Sequence, residues 1–313
     1  MLRFFSSDIP APVRRRRWLI ARRWCFFICL SLGVFLFLLW GSASPNLLLR
    51  ISAWLVFALW LLTLIQVVYC RFFPPLVTPL MIHRSLQHRR DSDYICLRDG
   101  YHFVPLESIS PHLVSAVDCS ENSKLFAYCR GFRFRGLRKA YLSNQQGGAL
   151  RGGSCISQQT AKNCFLPHSR TLLRKMVEAY YVVLIQLFWG KRRIMEVYLN
   201  IIEFGPGIYG CEAASQHYFH HSAASLSQHE AVLLAASLPW PLRANPGHHE
   251  PYFDRFVNVI HNRMQDYTPI NWDTPLAELA PQCVEEGNRG LLFFIKWLLL
   301  KKIKHLKQVL LHG

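Results

Sequence analysis

The sequence predicts a mainly α-helical protein held at a membrane by its amino-terminal part, and three observations carry that reading. Nearly every periodic segment repeats its apolar residues at three- and four-residue intervals. Two long charge-free apolar stretches, residues 24–40 and 51–70, come before a proline-rich exit. Helix-start signals, Ser110 before Pro111 and Ser227 three residues ahead of Glu230, precede apolar runs. The 313 residues suffice for one good-sized domain with appendages. The expected division is a basic amino terminus and anchor over 1–72, a juxtamembrane linker over 73–95, a catalytic-sized domain over 96–265 and a basic tail over 266–313.

Of the two apolar stretches, 51–70 is the better span, because a helix needs ~20 apolar residues to cross a bilayer core. Residues 24–40 are short unless Trp18, Leu19 and Ile20 extend them while nearby arginines snorkel. They lie too deep in the chain, and lack the small-residue cleavage site, for a signal peptide. Arg14, Arg15, Arg16, Arg17, Arg22 and Arg23 hold the amino terminus in the cytoplasm by the positive-inside bias. One span then sends the rest of the chain outside. Two spans return it, a placement that Arg71, Arg84, Arg89 and Arg90 favour.

Prolines in residues 72–81 forbid a continuing helix and give a stiff exit. Ser110 then caps a helix that has Pro111 in its first turn and Glu121 near its end. Over residues 171–189, Leu173, Met176, Val177, Tyr180, Leu184, Leu187 and Phe188 form one apolar stripe, and Gly190 ends the helix. Arg174 and Glu178, four apart, share a face of it, so the cation helps to keep the carboxylate ionised. Ser227 and Glu230 form a capping box for a helix that Pro239 ends.

The excess of 36 Lys and Arg over 19 Asp and Glu, a net charge of +17, attracts anions: nucleic acid, lipid headgroups or pyrophosphate. Nucleic acid is the least expected partner, because the basic residues sit beside apolar spans. Ten cysteines show no CxxC pair and no regular spacing with histidine, so no zinc site is expected. Seven of them, at 96, 119, 129, 155, 164, 211 and 283, follow the anchor and read as small buried residues. His217, His220, His221, His248 and His249 cluster without paired acids at ligand spacing, and no metal is expected there.

Residues 151–163, RGGSCISQQTAKN, combine a glycine turn, paired amides and a cation with few aliphatics, a composition suited to a polar ligand. RKMVE at 174–178 and KRRIMEVYLN at 191–200 add cations and carboxylates on helices. Together they point to a phosphorylated substrate with acid/base chemistry nearby. These blocks resemble the GGSTISQQxAKN, RKxxE and KxRIxExYLN motifs of the peptidoglycan glycosyltransferases, glycosyltransferase family 51. Residues 210–219 and 238–241 are similar to that family's GxEAAAQxYF and LPxP segments. The resemblance runs from about residue 73 to 264. With no penicillin-binding domain in the chain, it is to the monofunctional members.

The resemblance implies a lysozyme-like arrangement of helices and polymerisation of lipid II into glycan strands. Glu121 would deprotonate the acceptor 4-hydroxyl, which attacks the anomeric carbon with inversion as undecaprenyl pyrophosphate leaves. Glu178 corresponds to the family's second essential glutamate, on the donor side. Lys162, Arg174, Lys175 and Lys191 would grip pyrophosphate, and Ser154, Gln158 and Gln159 would hydrogen-bond sugar or phosphate oxygens. Glu196, Tyr198, Asn200, Glu203 and Glu212 read as structural. No cofactor is implied beyond an optional divalent cation without a sequence-defined site. Implied partners are lipid II, the growing glycan, the membrane, and cell-division or penicillin-binding proteins. A single anchor in the inner membrane with the catalytic domain on the periplasmic side is also implied, so 24–40 is expected to be re-entrant or interfacial.

The first family motif is altered here. Asn122 replaces an acid, Cys129 a histidine and Arg133 an aspartate, and one residue is inserted between Glu121 and Gly131. Loss of acidic neighbours lowers the basicity expected of Glu121. Cys155 replaces a threonine, and Gln186 stands where glutamate is frequent. The alternative reading is therefore a catalytically weakened homologue that binds lipid II or the divisome as a scaffold. The tail at 291–311 has the basic amphipathic character of a helix lying on an anionic bilayer.

Overall fold

The computed structural model describes residues 11–88, 94–95, 99–121, 154–167, 169, 171–267, 269–270 and 272, with residues 11–23, 26 and 172 described by backbone alone. Asn122, Cys129, Arg133, Gly152, Gly153, Arg89, Arg90, Cys96, Cys283 and the tail at 291–311 lie outside the described residues.

As expected, the architecture is mainly α. The described helices are α1 (Ala11–Ala43), α2 (Leu47–Phe72), α3 (Pro79–Gln87), α4 (Pro111–Ser120), α5 (Ile156–Phe165), α6 (Leu172–Phe188), α7 (Lys191–Ile201), α8 (Cys211–Phe219), α9 (Gln228–Ser237) and α10 (Pro251–Gln265). Between α7 and α8 a small antiparallel hairpin pairs β1 (Glu203–Gly205) with β2 (Ile208–Tyr209). Gly207 makes its turn at φ 76°, where an added Cβ would also lie 2.3 Å from the Ile95 carbonyl oxygen, so both conformation and space require glycine.

The apolar amino-terminal segments form a helical hairpin. Asn46 caps α2, its Oδ1 accepting the Leu48 N–H at 3.0 Å. Close approach of the two helices depends on small residues, since a Cβ on Gly41 would stand 2.4 Å from the Cβ of Ala53. Among the described residues, α2 is the one helix long and apolar enough to cross a membrane. At 1.5 Å per residue it spans about 39 Å. The apolar part of α1, Phe27–Ala43, reaches only about 25 Å, short of a ~30 Å bilayer core. Residues 24–40, expected to be re-entrant or interfacial, lie in one unbroken helix packed along α2.

The end of α2 is bolted to the rest of the protein. Thr63 and Tyr180 hydroxyls lie 2.8 Å apart, the Tyr181 hydroxyl donates to Gln66 Oε1 at 2.9 Å, and the Trp189 indole donates to the Val67 carbonyl at 2.8 Å. Arg193 then donates from Nε and Nη2 to the Cys70 carbonyl at 3.1 and 2.9 Å, and from Nη2 to that of Phe73 at 2.7 Å. A helix end leaves carbonyls without intrahelical partners, and a guanidinium fork both satisfies them and complements the negative end of the dipole. Glu196 holds the fork at 2.5 Å and accepts the Leu106 N–H at 3.0 Å. Thus α3, inside the stretch expected to be linker, is part of the packed body. Thr78 caps it, Pro79 opens it, and Leu80 and Met81 are buried.

In the body, α5 lies against α3, α6 and α7, while α4 packs on α9 and α10. Ile156, Ala161, Ile185, Ile194 and Val197 are fully buried at the first junction, and Leu113, Val117 and Ala235 at the second. The stripe predicted for α6 is only partly a core face. Leu184 is buried, but Leu173 and Met176 are 71% and 58% exposed, because the first turn of α6 carries the site cations beyond the core. Ser110 and the Ser227/Glu230 capping box act as predicted, with Ser110 Oγ also donating to the Leu226 carbonyl at 2.8 Å. Cys119, Cys155, Cys164 and Cys211 are buried, as expected.

Glu203 on β1 is a buried carboxylate 3.3 Å from Arg84 Nε of α3. Burial pushes Glu203 up to about 7, against the opposing pull of Arg84 and the Tyr209 hydroxyl. The unfolded chain releases this proton near the ordinary glutamate value, whereas the folded chain keeps it to about pH 7. Stability therefore falls as pH rises through that window, and the whole penalty, on the order of 3 kcal/mol, is in place above it. Glu203→Gln is expected to flatten the stability profile between pH 5 and 7, measured by denaturant unfolding of the detergent-solubilised protein. An unchanged slope would show that Glu203 ionises normally in the fold.

Candidate active site

The site is built where α4, α5 and α6 meet. Glu121 is the carboxy-terminal cap residue of α4, its N–H bonding to the Val117 carbonyl at 3.0 Å. Two other helices fix this end of α4. Ser120 Oγ donates to the Ala235 carbonyl of α9 at 3.0 Å, and Arg263 Nη1 of α10 donates to that of Cys119 at 2.8 Å. The Tyr267 hydroxyl adds a 2.8 Å bond to Asp118 Oδ2. From α5, Gln159 Nε2 donates to Glu121 Oε2 at 2.6 Å.

A second carboxylate sits in the first turns of α6. Thr171 caps that helix by accepting the Arg174 N–H at 3.2 Å. Glu178, 1% exposed, is held by Arg174 Nη1 at 2.7 Å and by the Lys175 ammonium, which also donates to Ser154 Oγ at 3.2 Å. The spacing predicted that Arg174 and Glu178 share a helix face, with the cation helping to keep the carboxylate ionised. In the fold it is a buried carboxylate shared by two partly exposed cations. Ser154 thus joins this group at the start of α5.

Lys162, one turn beyond Gln159 on α5, connects the two carboxylates electrostatically. Burial draws its ammonium below the usual lysine range, Arg174 and Lys175 add to that shift, and Glu178 and then Glu121 oppose it. The arrangement is a carboxylate able to take a proton, next to a cluster of three cations organised by one buried anion. Such a cluster suits a pyrophosphate, whose added negative charge would relieve the mutual repulsion of the cations.

Seven of the nine residues expected to form the site are brought together: Glu121, Ser154, Gln159, Lys162, Arg174, Lys175 and Glu178. Gln158 is used otherwise. Its side chain is buried and its Oε1 accepts the Cys155 N–H at 3.1 Å, which caps the start of α5. Lys191 opens α7, about two turns from Tyr198. Gln186, where an acid is frequent in the family motif, donates to Ser157 Oγ at 2.8 Å and ties α6 to α5.

Glu196 and Asn200 act structurally, as expected. Asn200 accepts the Val104 N–H and donates to its carbonyl, both at 2.8 Å, which pins the preceding loop to α7. Glu212 accepts the Ala223 N–H at 2.8 Å. Tyr198 is different, because its hydroxyl reaches Gln159 Oε1 at 3.2 Å. The sequence signal for this was a phenol inside the apolar stripe of α7, where a buried O–H needs a partner. Among the described residues, no group of three or more His, Cys, Asp or Glu could hold a metal ion.

The transglycosylase family model matches residues 97–265, which contain both carboxylates, Glu121 and Glu178, and the cations Lys162, Arg174 and Lys175. The chain is 49% identical over 179 residues to a biosynthetic peptidoglycan transglycosylase of Caulobacter vibrioides, covering 57% of this chain and 74% of that protein. It is 42% identical over 219 residues to the protein so named from Shewanella oneidensis, covering 69% and 92%. With its Rhodospirillum centenum counterpart it shares 44% over 223 residues, covering 71% and 93%.

Proposed function

This chain belongs to the transglycosylase family and is a peptidoglycan glycosyltransferase of cell-wall synthesis, its helical domain having the lysozyme-like fold; on that premise we propose that Glu121 is its general base and the Glu178 cluster its pyrophosphate site. Its substrates are lipid II and the glycan chain. Glu121 takes the proton from the acceptor's 4-hydroxyl as that oxygen bonds to the donor's anomeric carbon. The bond from that carbon to the pyrophosphate oxygen breaks on the opposite face, with inversion. Lys162, Arg174 and Lys175 receive the charge left on the undecaprenyl pyrophosphate. The observation that carries this reading is the buried Glu178 held between Arg174 and Lys175, with Glu121 bonded to Gln159 of α5, the helix that also bears Lys162. The scaffold alternative is not favoured.

The direct test is polymerisation of labelled lipid-linked disaccharide by the purified detergent-solubilised protein. Long glycan is the expected product. Soluble fragments released from purified sacculi, with no polymer, would instead indicate a hydrolase.

For location, the reading is an inner-membrane protein anchored by α2, with residues 97–265 on the periplasmic side where its flipped substrate is presented. The supports are the length of α2 and the cluster of arginines that precedes α1's apolar part. A fusion at residue 90 should report a periplasmic location. A cytoplasmic signal would overturn the placement.

A further inference from the structure

Tyr198 of α7, Gln159 of α5 and Glu121 of α4 form one directed hydrogen-bond chain, with steps of 3.2 and 2.6 Å between residues 39 and 38 apart in sequence. Its polarity follows from donor chemistry. An ionised carboxylate can only accept, so the Gln159 NH2 group must face Glu121. The amide oxygen then faces Tyr198, whose hydroxyl must donate. Tyr198 is fully buried, which excludes competing water. Burial also pushes its phenol well above the ordinary tyrosine range, with the charge of Glu121 acting in the same direction, so the donor proton stays in place.

Each end of the chain is rigid. Asn200 and Glu196 fasten α7 to the segment at 104–106, and Ser120 and Arg263 fasten the end of α4. Turning the Gln159 amide over would set its oxygen against the Glu121 carboxylate, so the carboxylate fixes the direction of the amide and the Tyr198 hydroxyl holds its far end. From this geometry we infer that Tyr198 is a positioning residue for the base, acting through Gln159, which it locks with its NH2 group toward Glu121. Gln159 accordingly serves the carboxylate rather than the sugar or phosphate oxygens expected from the sequence. The inference rests on the reading of Glu121 as the base.

The test compares kcat, KM and pH–rate profiles of the full chain with those of Tyr198→Phe, Gln159→Leu, the double variant and Glu121→Gln. Tyr198→Phe is expected to lower kcat about ten- to a hundredfold, with KM for lipid-linked disaccharide within about twofold. It should also move the acid limb of the profile to higher pH, because a donor that favours the ionised base is no longer held. In the Gln159→Leu background, Tyr198→Phe should add nothing further. Additive losses, or a lowered melting temperature with an unmoved acid limb, would mean that Tyr198 is only structural. If Tyr198→Phe does not fold, the acid limb of Gln159→Leu decides: a shift supports the chain and an unmoved limb overturns it. Retained activity in Glu121→Gln would instead remove the base assignment itself, whereas its loss beside a parent-like Tyr198→Phe would overturn this inference alone.

Discussion

Glu121→Gln is expected to lower the rate of glycan polymerisation about 10²- to 10⁴-fold while leaving the protein folded and able to bind lipid-linked disaccharide. The amide has nearly the volume of the carboxylate, and its oxygen can still accept from Gln159 Nε2, which now lies 2.6 Å from Glu121 Oε2. The fastenings of α4 by Ser120 and Arg263 use other groups and are untouched. What the substitution removes is the ability to take a proton. The loss should therefore fall on kcat, with KM little changed, and the melting temperature should stay near that of the parent. A polymerisation rate within a fewfold of the parent would show that another group removes the acceptor's proton.

The second large effect is expected at Glu178, where a neutral side chain should reduce both stability and activity. Glu178 is 1% exposed and bonds to both Arg174 and Lys175. Removing one partner of a buried ion pair costs ~3–5 kcal/mol. The Arg174 and Lys175 side chains are 15% and 27% exposed, however, and water screens them in part. About 1–3 kcal/mol is the discounted expectation for Glu178→Gln. Lys162 loses the main group that opposes its deprotonation, so its ammonium should lose its proton at lower pH. The basic limb of the activity profile should move down accordingly, and polymerisation should fall by about 10²-fold or more. Inorganic pyrophosphate should restore part of the lost melting temperature, because it supplies anionic charge to the same cations. Full stability and an unmoved basic limb would show that Glu178 does not organise the cluster.

The sequence carried much of this site because its motifs are local. Arg174 and Glu178 share a helix face by spacing alone, and the Ser110 and Ser227 caps follow from which residues can satisfy exposed N–H groups. The same locality limited what could be read. Periodicity placed Leu173 and Met176 in a core stripe, but it cannot show where the core ends along a helix, and both are exposed. Gln158 and Gln159 are adjacent and chemically identical. The first caps its own helix and the second faces another, a difference set by a rotation of about 100° between successive helical residues.

By itself, the sequence determined the mainly helical architecture, the family to which the chain belongs, the apolar helix suited to a membrane, and the residue types of the candidate site. Those properties depend on composition, spacing and short-range capping. Only the tertiary structure decided that Arg193 closes the end of α2 across more than a hundred residues, that Glu178 is buried, and that Tyr198 reaches Glu121 through Gln159. Each of these depends on how helices pack against one another, and side-chain periodicity within one helix contains no information about that relative placement.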